Sequence, residues 1–296
     1  MKNFLKGLTR NVVLLGLVSL FTDLGSQMVF PLVPLYMTGV LGASASAVGM
    51  VEGAAETTAS LFKVISGYWS DRIKRRKPFV LFGYGLSAVT KPLFAFATLW
   101  PLVLGARAIE RIGKGLRDAP RDALVAESSD PAYRGKVYGF HRAMDGMGSV
   151  LGALMGFLLL PVLGFKNIFL FAFIPGVIAT LTVLFEKEKK RTPEEIEAQK
   201  SQKKKTLRVS FKALPNNLRL FILASAIFAL GNFGYAFMLL KAKSIGLSDS
   251  NAILLYVLYY GIYTLLTTPL GALSDKIGRK PVLMTGYAIF SIAGLG

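Results

Sequence analysis

What most restricts the fold of this chain is a succession of apolar stretches, each close to the roughly 20 residues that carry an α-helix across a hydrocarbon core about 30 Å thick. Candidate spans fall at 12–38, 47–69, 78–98, 99–118, 136–160, 165–185, 218–240, 250–273 and 281–296. In a chain of 296 residues they leave little room for a separate soluble domain. The spacing therefore predicts an all-α polytopic membrane protein with nine transmembrane helices, whose first partner is the lipid bilayer.

The chain carries 35 Lys and Arg against 17 Asp and Glu, a net charge of +18. In a soluble protein such an excess points to nucleic acid. Here the placement of the charges accounts for it instead. Segments 1–11, 70–78, 111–142, 186–219 and 274–280 hold 29 of the 35 basic residues, whereas the connections on the other face hold only Lys166, Lys241 and Lys243. Basic loops stay on the cytoplasmic side. The N-terminus and the loops after the second, fourth, sixth and eighth spans are expected there, and no nucleic-acid partner is expected.

Lys2, Lys6 and Arg10 ahead of the apolar run from Val12 to Phe21 imitate a secretory leader. No small-x-small cleavage site follows and the apolar pattern resumes from Met28 to Met37, so an uncleaved first span is expected. The longest polar stretch, Glu186 to Asn217, mixes both charge signs and reads as a cytoplasmic linker lying on anionic lipid. It divides the chain into a six-helix bundle, 1–185, a linker, 186–217, and a partial second bundle of three helices, 218–296. Cysteine is absent and His141 is the single histidine, which excludes disulfides, thiolate chemistry and multi-histidine metal sites. Gly113-Lys-Gly115 lacks the spacing of a phosphate loop, and no nucleophile is set beside a base. Neither an enzyme, a metal nor a cofactor is expected.

The sequence repeats itself across the linker. Gly67, Ser70, Asp71, Arg72, Ile73, Arg75 and Pro78 close the second span, and Gly271, Ser274, Asp275, Lys276, Ile277, Gly278, Arg279, Lys280 and Pro281 close the eighth. Both read Gly-x-x-Ser-Asp-basic-Ile, a basic turn and Pro. With this repeat the chain resembles the major facilitator superfamily of secondary transporters, whose two six-helix halves each carry Gly-x-x-x-Asp-(Arg/Lys)-x-Gly-Arg-Lys after their second helix. The second copy fits that pattern throughout; the first has Lys74 in place of Gly and one additional basic residue. Arg107, Glu110, Arg111 and Gly113 meet in part a second family motif on the fourth span, and Gly146, Gly148, Gly152 and Gly156 resemble its small-residue packing face on the fifth. The family fold has twelve helices, so the last three are expected to be missing from this chain.

The resemblance implies a gating role for the repeated motif. A carboxylate at the end of an even-numbered helix can face the positive N-terminal end of a neighbouring helix and its arginines, biasing one of two bundle arrangements by about 1–2 kcal/mol. Asp71 is expected to meet an eleventh helix, and Asp275, by pseudo-symmetry, the start of the fifth span. Basic turns that simply fix topology would look the same.

Charges inside spans cost about 2.5–3.5 kcal/mol at the bilayer centre and face a cavity or a partner. Glu52, Glu56 and Lys63 fall within about 40° of one another on one helical face. Arg107, Glu110, Arg111, Lys114, Arg117, Asp118 and Arg121 cover an arc of about 100° on the fourth span. Asp23 and Gln27 on the first span, and His141, Arg142 and Asp145 on the fifth, complete one half of a central cavity. Arg142 with Asp145, and Lys91, read equally as structural. Shifting by the 204 residues between Asp71 and Asp275 places Tyr256 and Tyr260 where Glu52 and Glu56 stand, and the seventh span offers Asn232 and Tyr235. Those tyrosines can also be belt or packing residues. The acids Asp23, Glu52, Glu56, Glu110 and Asp145 are matched in number by the bases Lys63, Lys91, Arg107, Arg111 and Arg142, so no substrate charge is implied.

The resemblance implies alternating-access transport of a small solute in the cytoplasmic membrane, with efflux as the expected direction, and the charged half points to coupling with protons. Asp23, Glu52, Glu56 and Asp145 are the candidate carriers, because a carboxyl group in low-dielectric surroundings can gain and lose a proton as the state alternates. Gln27, Lys63, Arg107, Glu110, Arg111, His141, Asn232, Tyr235, Tyr256 and Tyr260 are candidate cavity residues. The alternative is a non-transporting membrane scaffold or an incomplete chain, and nine helices alone are expected not to transport. Oligomeric state leaves no mark in the sequence.

Overall fold

The computed structural model describes residues 8–73, 75–130, 134–186, 214–231 and 234–294, and among them no strand occurs. The helices are α1 (Arg10–Val29), α2 (Leu32–Gly39), α3 (Ala45–Ile73), α4 (Lys77–Ala95), α5 (Trp100–Glu127), α6 (Arg134–Phe171) and α7 (Phe173–Leu184). They continue with α8 (Asn216–Gly231), α9 (Tyr235–Ser244), α10 (Asp249–Ile277) and α11 (Arg279–Ala293). Thr9 caps α1, its hydroxyl accepting from the Val12 amide at 3.3 Å. Pro31 separates α1 from α2, because proline removes a donor from the helical ladder.

Among the described residues, continuous helical runs number about eight rather than the expected nine. The expected fifth and sixth spans form one run of 48 residues, Val137–Leu184. Straight, it would reach about 72 Å, more than twice the hydrocarbon thickness. It turns instead at Gly164, whose φ of 68° and ψ of 173° suit only glycine. A single residue in a non-helical conformation makes the turn, too short to leave a gap in the sequence pattern.

By length and composition three described runs can cross a membrane: Arg10–Gly39, Val137–Leu184 and Asn216–Ser244. The polar stripes of α3 and α5 dilute their hydropathy, since those helices face one another and a cavity as well as lipid. Outward apolar residues such as Leu230, 89% exposed, and Val162, 81% exposed, mark surface that water would not tolerate.

Packing divides the chain into Met1–Glu188 with Tyr235–Pro269, and Lys189–Gly234 with Leu270–Gly296. In the second unit Phe228 of α8 stacks on Tyr287 of α11 at 4.0 Å and meets Phe290 edge-on at 5.0 Å. In the first unit, glycine lets helices close to backbone contact. A Cβ at Gly115 of α5 would lie 2.6 Å from the Ala59 carbonyl of α3, and side chains at Gly148 and Gly152 of α6 would overlap the Leu20 and Leu24 carbonyls of α1.

One end of the first unit is tied together by polar bonds. Arg76 pairs with Asp71 at 3.0 Å and Glu127 at 2.8 Å, Thr9 donates to the Ser128 carbonyl at 3.0 Å, and Lys77 donates to the carbonyls of Leu184 and Glu186. The N-termini of α1 and α4 thus meet the C-termini of α3, α5 and α7 at this basic end. Beside it lies an apolar cluster including Val12, Leu15, Val80, Leu124 and Val183. A larger cluster at the far end joins Leu32, Val33 and Met37 of α2, Val48 and Val51 of α3, Phe169 of α6, Leu239 of α9 and Ile253 of α10.

Candidate functional site

Between these clusters the first unit holds a partly open cavity of about 540 Å³, large enough for a drug-sized solute. Its charged wall is built by α1, α3, α5 and α6, and its aromatic wall by α9 and α10.

The charged wall is a ladder between α3 and α5. Glu52 and Glu56 stand one turn apart on α3, and Arg107 and Arg111 stand one turn apart on α5. Arg107, fully buried, donates from Nη2 to Glu52 Oε2 at 3.0 Å; Arg111 pairs from Nη2 with Glu56 Oε1 at 3.0 Å. Glu110, also fully buried, lies 3.6 Å from both guanidinium groups. Both arginines stand over the Phe30 ring, at 3.9 and 5.1 Å, a cation–π arrangement that strengthens away from water. On α6, Asp145 accepts from the Ser19 hydroxyl, pairs with Arg142 at 3.2 Å and lies 3.6 Å from His141.

Asp23 lines the cavity and has no hydrogen bond or ion pair among the described residues. It differs in this from Glu52, Glu56, Glu110 and Asp145, each of which has an arginine within 4 Å.

The aromatic wall is a ladder of tyrosines. Tyr235 packs on Tyr256 at 5.1 Å, Tyr256 on Tyr260 at 4.8 Å, and Tyr260 on both Tyr259 and Tyr263. The Tyr256 hydroxyl donates to Gln27 Oε1 at 2.6 Å, Gln27 Nε2 points to the Tyr260 hydroxyl at 3.4 Å, and the Tyr235 hydroxyl accepts from Arg107 Nη2 at 3.0 Å.

Of the residues expected here, Asp23, Gln27, Glu56, Glu110, Arg111, Asp145, Tyr235, Tyr256 and Tyr260 line the cavity. Glu52 and Arg107 stand behind it through their bonds to each other and to Tyr235, and His141 is buried behind Asp145. Lys63 does not belong: it shares the angular position of Glu52 and Glu56 but its side chain is exposed, at a level where Gly115 of α5 abuts the α3 backbone. Asn232 lies outside the described residues. Sequence reasoning placed Lys114 and Arg117 on the right arc without naming them for the site, and both line the cavity. It missed Phe30, one apolar residue among many, which no pattern distinguishes.

In the first gating motif, Asp71 is paired with Arg76 of its own turn, Arg72 donates to the Tyr68 hydroxyl at 3.2 Å, Arg75 is exposed and Gly67 packs on Ala119. In the second, Gly278 has a φ of 91° and precedes α11, Lys280 is exposed, and the surroundings of Gly271, Asp275, Lys276 and Arg279 lie outside what is described. Among the described residues no group of His, Asp and Glu is arranged to hold a metal ion.

The Major Facilitator Superfamily model matches residues 15–296. Over 297 aligned residues the chain is 40% identical to an uncharacterised MFS-type transporter of Methanocaldococcus jannaschii, covering 98% of this chain and 72% of that one. It is 34% identical over 139 residues to the multidrug resistance protein MdtH of Yersinia pestis, 47% of this chain and 34% of that one. In structure it is similar to a bacterial homologue of the human lysosomal transporter Spinster, in an inward-facing and occupied conformation, with a TM-score of 0.72, 16% identity and coverage of 91% and 62%. A D-xylose–proton symporter gives 0.65, 16%, 91% and 70%. At such identities these two likenesses are of fold.

Proposed function

The chain belongs to the major facilitator superfamily, and from that premise we propose that it takes part in carrying a small organic solute across the cytoplasmic membrane by alternating access, outward and in exchange for protons. The observation that carries this reading is the cavity, in which one carboxylate without a hydrogen bond or ion pair among the described residues, Asp23, faces a tyrosine wall while its neighbouring acids are held by arginines. Asp23 is thus first among the candidate proton carriers Asp23, Glu52, Glu56 and Asp145. A carboxyl group without a fixed counter-ion can take and give a proton without first breaking a buried ion pair. The tyrosines offer ring faces and hydroxyls to an organic solute.

Export is supported by the likeness to the multidrug resistance protein MdtH over 139 aligned residues. The proposed division is a first bundle at 1–185, a linker at 186–217 and a second bundle from 218, with the N-terminus and the basic end on the cytoplasmic side. Everted membrane vesicles carrying a preformed pH gradient test the reading. Addition of an amphipathic solute that is a substrate should discharge the gradient through wild-type protein with a complete second bundle and not through its Asp23→Asn variant. No response to any of a broad panel of amphipathic cations, anions and neutral solutes, or an equal response from the variant, would count against it.

A further inference from the structure

Among the described side chains of residues 235–266, those buried against α1–α7 lie at one end. Leu239, Ala252, Ile253 and Tyr256 are buried, whereas none of residues 257–266 further along α10 is. The buried end is remote from the basic end, since Arg107 and Tyr256 each stand seven residues into helices, α5 and α10, that begin there. Further along, Gly146 of α6 leaves room for Thr264, with no hydrogen bond to the Thr264 hydroxyl.

Most of the contact at the buried end is apolar and non-directional, so it would tolerate small sliding movements. Two short hydrogen bonds are directional, with a longer one from the Tyr235 hydroxyl to the Phe30 carbonyl at 3.5 Å beside them. Arg107 Nη2 donates to the Tyr235 hydroxyl at 3.0 Å, and the Tyr256 hydroxyl donates to Gln27 Oε1 at 2.6 Å. Arg107 cannot follow a departing Tyr235, because the same nitrogen holds Glu52 at 3.0 Å and the guanidinium lies on Phe30 at 3.9 Å. Both tyrosines also line the cavity.

We propose that Tyr235 and Tyr256 are paired bolts that close the cavity at the end remote from the basic turns, and that each transport cycle breaks both bonds when that end opens. They are positioning residues, acting through Arg107 and Gln27. The proposal rests on the alternating-access reading above, and it places the described structure in the state closed at that end. Phenylalanine at either position keeps the ring packing at 5.1 Å and removes the bolt.

The natural absence of cysteine permits a direct test. Ala252→Cys reports on the bolted end, where Ala252 is fully buried, and Ala143→Cys on the exposed cavity wall of α6. In proteoliposomes of the full chain, labelling by a membrane-impermeant maleimide is followed in each background with and without Tyr235→Phe/Tyr256→Phe. The double variant should speed labelling at residue 252 by about tenfold or more, the factor for losing one charge-assisted hydrogen bond, and slow it at residue 143. An unchanged rate at 252 overturns the proposal. So does a rise at both positions, which signals loosening of the fold rather than a shift between two states. No solute is needed, so reciprocal labelling together with silent everted vesicles would keep the bolts and remove the transport reading.

Discussion

Replacing Arg107 by Met removes the guanidinium on which the charged wall converges. The stem is kept in volume, so the loss is electrostatic rather than a cavity. Arg107 and Glu110 are both fully buried, and Glu52 is 16% exposed at its side chain. Without Arg107, Glu52 has no counter-ion at 3.0 Å, and Glu110 is left with Arg111 at 3.6 Å. Breaking a buried pair in this way costs about 3–5 kcal/mol. Loss of the Phe30 contact adds about 1 kcal/mol, and the remaining Arg111–Glu110 contact argues for the lower part of the range. A loss of about 4 kcal/mol is expected for Arg107→Met. Arg107→Met with Glu52→Gln should recover about 1–3 kcal/mol of it, because the second change removes the stranded charge. Equilibrium unfolding in mixed micelles measures both. A single variant within 1 kcal/mol of wild type, or strict additivity with Glu52→Gln, would refute the ladder as a coupled unit.

Two glycines of α5 should respond in opposite directions to alanine. At Gly115 the new Cβ sits 2.6 Å from Ala59 O and Phe62 Cβ, so α3 and α5 must separate by roughly 0.8 Å to reach ordinary contact at 3.4 Å, an overpacking that costs about 1–3 kcal/mol. Gly105 has nothing within 4 Å, and Gly105→Ala should gain about 0.5–1 kcal/mol from helix propensity; unfolding midpoints in micelles should shift down for the first and up for the second. Single cysteines at Ala45 and Ser248, exposed at the far end, should react with an impermeant thiol reagent in intact cells, and one at Ser201 of the linker should not. Labelling of Ser201→Cys from outside would reverse the proposed orientation.

The sequence made the spans, the basic end and most of the cavity legible, because a charge or a run of tyrosines in an apolar helix stands out against its surroundings. Asp23, Gln27, Glu56 and Tyr256 could be found in that way. Angular position alone could not assign Lys63, since it carries no information on depth along the helix, and at that depth α5 packs against α3. Partner choice was equally hidden. That Glu52 takes Arg107 and Glu56 takes Arg111 goes with the close approach that Gly115 allows between α3 and α5, and that Asp23 on α1 is left without a partner among the described residues shows only in three dimensions. Gly164 reads as one more glycine in a Gly-rich helix until its positive φ shows the turn between the expected fifth and sixth spans.

Asp23 as the site of proton exchange is tested most directly in proteoliposomes holding purified protein, with a substrate found in the everted-vesicle assay. Solute exchange at equal pH and flux driven by a pH gradient are measured side by side for wild type and Asp23→Asn. The neutral isostere can still bind solute but has no proton to release, so exchange should persist while gradient-driven flux falls to background. Gradient-driven flux by Asp23→Asn equal to wild type would contradict the account, and the proton would then have to be sought among the arginine-held carboxylates.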